Sequence, residues 1–222
     1  MNITTITKEN NFFYLFFALV FMLLSSSLVA QLGEEEHHYL FEFLTIGMLL
    51  LSLKSLKNDK TWFWAVGILA MTSVVLFVSN RFFTIYYTEF ITLLIWAIFF
   101  IGCFKVLVKS IINSKQIDQN MIVGSMVLYL LIGLLYTSIY LFILRIVPNS
   151  FHGLEFTSLS EDFSIVTYYS FVTLTTLGYG DIYPQEPIAR FFVISESIVG
   201  VFYIAIIVSS LVSARLGSIS KN

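Results

Sequence analysis

The sequence predicts an all-α integral membrane protein with six transmembrane helices and one shorter, re-entrant segment between the fifth and the sixth. Three observations predict it. Of 222 residues, 58% are hydrophobic and only 12% charged, whereas ordinary soluble domains carry roughly 25% charged residues. The apolar residues gather into runs close to the ~20 residues that a membrane helix needs. The basic residues then fall on alternate loops, the pattern that orients membrane helices. The same composition, with a net charge of −2, excludes a disordered chain and a nucleic-acid binder with a basic face. The single cysteine, Cys103, forbids an intrachain disulfide and cannot by itself make a cysteine zinc site.

The spans are expected at residues 12–30, 39–53, 62–79, 89–108, 121–147 and 188–214. The second is short and contains Glu42, so its run is read as beginning near Gly33. The first has Lys8 before it and Ser25–Ser27 within it, the outline of a signal peptide. Its apolar run exceeds the usual 7–15 residues and Leu28 is a poor −3 residue, so it is read as an uncleaved span. Residues 163–176 are too few to cross and are followed by Gly and Pro, which reads as re-entrant.

Lys8, Lys54, Lys57, Lys60, Lys105, Lys109, Lys115, Arg215 and Lys221 fall on one side, and Arg81, Arg145 and Arg190 on the other. That split places both termini in the cytoplasm. Glu34, Glu35, Glu36, His37 and His38 then form an outer acidic loop, with Trp62 and Trp64 at the inner interface and Tyr86 and Tyr87 at the outer one. The longest polar stretch, 113–120, is a loop, so no soluble regulatory domain is expected. Two parts are expected: a four-helix membrane domain over 1–112 and a second part over 113–222.

The re-entrant segment carries the chemistry. It ends in Thr175-Thr176-Leu177-Gly178-Tyr179-Gly180-Asp181, preceded by Tyr168, Tyr169, Val172 and Thr173. This resembles the pore helix and selectivity filter of the potassium channels, with Leu177 in place of the usual valine. The resemblance implies K⁺ coordinated at Thr176, Leu177, Gly178 and Tyr179, with Gly180 completing the filter and Asp181 at its outer end. Backbone carbonyls replace the water shell of the ion, and aligning them needs alternating backbone conformations that Gly178 and Gly180 adopt freely. Tyr168, Tyr169, Val172, Thr173 and Thr175 are read as filter support, Tyr179 bracing against the pore helix. A helix ending near Thr175 turns its negative dipole end towards a cation. One filter copy per chain implies a homotetramer. Permeant K⁺ aside, no cofactor is expected, and the partners are the lipid bilayer and identical chains.

The resemblance extends over about 121–216 and is similar to small bacterial channels, which implies a prokaryotic plasma membrane. Gly200, 19 residues after Asp181, takes the place of a gating hinge. Glu196, four residues earlier and on the same helical face, is read as a structural acid bonded to the back of the pore helix, with Tyr168 or Thr173 as partner. Val172 stands where some of these channels carry a glutamate that pairs with the aspartate ending the filter, so that pair is absent. The fourth span has Lys105 near its end and Lys109 just beyond. Each charge contributes only about 2.3 kcal/mol per 100 mV, so an arginine-type voltage sensor is excluded. Glu42, Glu89, His37 and His38 are the residues through which the first spans would sense pH; the two histidines are read as solvated. The expected function is passive, K⁺-selective conduction. A non-selective cation channel and a non-conducting scaffold are the alternatives, and an enzyme is not expected.

Overall fold

The computed structural model describes residues 12–29, 31, 34–55, 60–82, 88–113 and 119–219. Seven helices and one two-stranded pairing make up these residues. In order they are α1 (Phe12–Val29), α2 (Glu34–Ser55), α3 (Lys60–Phe82), α4 (Thr88–Asn113), α5 (Gln119–Ile146), β1 (Phe151–His152), α6 (Leu159–Leu174), β2 (Tyr183–Pro184) and α7 (Pro187–Ile219).

Five of the described helices, α1, α3, α4, α5 and α7, are long and apolar enough to cross a membrane. At 22 residues, or about 33 Å, α2 has the length, but it is not among the five. Its helix begins at Glu34, so residues 34–38 form its first turns and not the expected acidic loop. The expected anchors Tyr86 and Tyr87 lie outside the described residues. Trp62 lays its ring against Gly102 of α4, where any added Cβ would collide with it. It therefore packs two helices together.

Side chains from all seven helices join one apolar core. α1 packs on α2 and α5, α3 on α2 and α4, and α5 on α4, α6 and α7, while α1 and α2 also reach α6. α5 is the axis of this arrangement, with 67% of its span buried. Its hydroxyl groups return to the helix backbone, Thr137 Oγ1 donating to Gly133 O and Ser138 Oγ to Leu134 O, both at 2.9 Å, so they need no water.

α6 begins four residues earlier than the sequence suggested. Ser158 has extended φ and ψ and its side chain accepts the Glu161 N–H, the geometry of an N-cap, and Glu161 and Asp162 supply negative charge to the first turn. At 16 residues the helix is about 24 Å long, short of the ~30 Å hydrocarbon core. β1 and β2 pair antiparallel, Phe151 opposite Pro184 and His152 opposite Tyr183. This pairing, which the sequence did not disclose, ties the loop before α6 to the chain after residues 176–181.

Candidate functional site

The segment leaving α6 is held by that helix's own backbone. The Thr175 N–H bonds to Phe171 O at 3.0 Å, Thr176 N–H to Thr173 O at 2.9 Å and Leu177 N–H to Val172 O at 2.9 Å. Thr175 Oγ1 also donates to Phe171 O at 2.7 Å. Carbonyls that a helix end leaves without partners thereby fix the first residues of the loop. From there the backbone alternates. Thr176 has φ +58°, Gly178 +56° and Gly180 +83°, while Leu177 and Tyr179 between them do not enter the left-handed region. Left-handed backbone costs an ordinary residue roughly 1–2 kcal/mol and costs glycine nothing comparable. An added Cβ at Gly178 or Gly180 would meet nothing within 4 Å in the single chain, so conformation and not space demands glycine there. Thr176 accepts the same conformation without being glycine, which nothing in its residue type announced.

Tyr168 connects α6 to this loop. Its hydroxyl donates to Asp181 Oδ2 at 2.8 Å, and its ring lies 6.4 Å from that of Tyr179, nearly parallel at 11°. The bond to Asp181 raises the Tyr168 hydroxyl above its ordinary pKa, so it remains a donor. Tyr169, about 100° further round the helix, is buried between Tyr140 and Phe151 at ring distances of 5.4 and 5.5 Å. It supports α6 from behind and takes no part in a cuff around the loop. Val172 and Thr173 are buried, and their carbonyls are the acceptors for Leu177 and Thr176. Gly153, at φ +80°, lets its backbone approach Asp181; a Cβ there would lie 2.9 Å from Asp181 O.

Glu196 of α7 is fully buried. Its partners differ from those the sequence suggested. Tyr140 of α5 donates to Oε2, and Ser170 of α6 lies 2.5 Å from Oε1. Neither Tyr168 nor Thr173 is involved, because Tyr168 faces Asp181 and the Thr173 backbone serves Thr176. Ser170 Oγ is also 2.8 Å from Gly133 O. One carboxyl group thus joins the three helices around it. The clue available in sequence was a rule: an acid at membrane depth needs a polar partner. Tyr140 and Ser170 are polar residues inside apolar helices.

Gly200 lies where α7 crosses the end of α6. A Cβ there would run into the Leu174 carbonyl. α7 remains helical from Pro187 to Ile219, through Gly200.

Glu89 stands at the other end of α6. Its Oε1 accepts the Leu159 N–H at 3.2 Å and its Oε2 is 3.6 Å from Arg145 Nη1. Asp162 accepts from Thr157 N–H at 2.8 Å and from Thr157 Oγ1 at 2.9 Å. Burial raises the pKa of this carboxyl, against the lowering effect of the two Thr157 bonds. Glu42, in α2, is half-buried. The side chains of His37 and His38 lie outside the described residues. Among the described residues no cluster of three or more His, Cys, Asp or Glu offers a metal site.

Residues 175–181 are all exposed in the single chain. So is α7, of whose span only 11% is buried.

Residues 126–215 match the family described as "Ion channel", which supports the potassium-channel resemblance of the loop sequence. That stretch contains most of α5, all of α6, the Thr176–Asp181 loop and most of α7. No curated protein matches the chain, and no solved structure does.

Proposed function

We propose that this chain, an ion-channel domain joined to four preceding helices, assembles as a homotetramer and conducts K⁺ selectively and passively across the cell membrane. The observation that carries the reading is the left-handed backbone at Thr176, Gly178 and Gly180, every second residue of the TLGYG segment. That alternation is what a row of carbonyls facing one way requires, and such rows replace the hydration shell of K⁺. α6 is the re-entrant pore helix, its C-terminal end turned towards the ion path. A single chain supplies one wall of that path. Three further copies complete each ring of oxygens and cover the exposed α7 and residues 175–181. α2 completes six spans with both termini in the cytoplasm.

The test is flux through purified protein in liposomes. The expected result is K⁺ movement far above Na⁺, blocked by Ba²⁺, from a particle with the mass of four chains. Equal K⁺ and Na⁺ movement overturns selectivity and favours a non-selective cation channel. No flux of either ion overturns conduction and favours a scaffold.

A further inference from the structure

Among the described residues, side chains of the N-terminal helices meet α6 at its start. Glu89, in the first turn of α4, accepts the N–H of Leu159, the first residue of α6. Phe163 lies 4.9 Å from the ring of Trp96 in α4 and 5.4 Å from that of Phe41 in α2, and Phe41 and Trp96 are 5.5 Å apart. All three rings are buried. Ser164 Oγ is 3.5 Å from Ser27 Oγ of α1. α1, α2 and α4 therefore each hold α6 between residues 159 and 164, while its other end passes directly into Thr175–Leu177.

We propose that the N-terminal helices clamp the start of the pore helix, with Glu89 as the positioning residue through which they set the filter. The inference rests on the channel reading above. The first N–H groups of a helix have no partner within it, and a carboxylate at that end is favoured by the helix dipole. Ser158 satisfies the Glu161 N–H from within the loop. Glu89 satisfies Leu159 from a different helix, so the position of α4 is written into the position of α6. Arg145, at the end of α5, holds Glu89 from its other oxygen and lies 4.8 Å from the Phe156 ring in the loop entering α6. A helix is stiff along its hydrogen-bonded axis. A displacement at Leu159 therefore reaches the Val172 and Thr173 carbonyls that hold Leu177 and Thr176. Three of the four extra helices gain a role by this route.

The experiment compares wild type, Glu89→Ala and Glu89→Gln as tetramers in planar bilayers, reading the K⁺ to Na⁺ permeability ratio and the mean open time. Glutamine retains an acceptor for the Leu159 N–H; alanine does not. Glu89→Ala is expected to change the ratio or the open time at least threefold, and Glu89→Gln to remain within twofold of wild type. A tetrameric Glu89→Ala within twofold of wild type on both measures overturns the clamp, as does a Glu89→Gln as disturbed as Glu89→Ala. If Glu89→Ala forms no tetramer, Trp96→Leu loosens the same end through Phe163 and is read against the same limits. A wild type without K⁺-selective current fails the channel reading itself, which separates the two.

Discussion

Replacing Glu196 tests how three helices are joined inside the apolar core. A hydroxyl has one proton to give. Ser170 Oγ is within hydrogen-bond reach of both Gly133 O and Glu196 Oε1, and a carbonyl supplies no proton. Both contacts are hydrogen bonds at once only when the side chain at 196 provides the second proton. Glutamine meets that demand. Its amide N–H donates to Ser170 and its oxygen accepts from Tyr140, so Glu196→Gln is expected to cost less than about 1 kcal/mol per subunit. Alanine meets none of it. Tyr140, itself fully buried, is left with an unpaired hydroxyl at about 1–3 kcal/mol. The four missing atoms leave a cavity of roughly 60 Å³, worth about 1.5 kcal/mol. The sum is about 2.5–4.5 kcal/mol per subunit. The assay heats the detergent-solubilised protein and follows loss of helical circular dichroism together with loss of the four-chain band. Glu196→Gln is expected within a few degrees of wild type, and Glu196→Ala far below both. A glutamine variant as unstable as alanine would refute the proton count, because a charge would then be what the site requires. An alanine variant as stable as wild type would refute the burial argument.

Gly178→Ala places an ordinary residue at φ +56°, at roughly 1–2 kcal/mol in each chain, and is expected to abolish K⁺ flux while tetramers persist on size-exclusion chromatography. Gly200→Ala drives a methyl group into the Leu174 carbonyl. It is expected to lower thermal stability markedly, whereas a variant of unchanged stability with altered opening would favour a hinge. Tyr168→Phe removes the bond to Asp181 and is expected to accelerate decay of the current in sustained recordings. In wild type that bond resists alkali, because the raised tyrosine pKa keeps the donor protonated as pH rises to about 9, so decay rates are expected to stay flat up to that pH.

α6 and the loop that follows it show what the sequence discloses and what it hides. The short length and the GYG run were legible, because each follows from a local demand: a short apolar segment and a backbone that only glycine enters cheaply. The alternation at Gly178 and Gly180 was legible for the same reason. Thr176 was not, since its left-handed conformation is imposed by bonds from Val172 and Thr173 and not by its own preference. The sequence predicts six spans; five described helices are long and apolar enough to cross a membrane, whereas α2 mixes Glu42 with a 22-residue helix and gives a weaker signal.

What lay out of reach was the back of the helix. Glu196 announced itself as an acid in an apolar run, but Ser170 and Tyr140 acquire meaning only when three helices meet. The facing direction of neighbouring tyrosines was equally hidden: Tyr168 turns to Asp181 and Tyr169 to Tyr140, because residues next to each other on a helix point about 100° apart. The N-terminal phenylalanines illustrate the same limit. Phe12, Phe41, Phe99 and Phe100 are buried, and Phe41 reaches α6 itself, contacts that appear only once the helices pack. α6 is thus held at its start by Glu89 and Phe163, along its back by Glu196, and at its end by Gly200. Two of these three supports come from residues within 126–215, the stretch that matches the ion-channel family. The remaining one comes from α1, α2 and α4, so a loosened start with the other two intact would isolate the contribution that the N-terminal helices make to the Thr176–Asp181 loop.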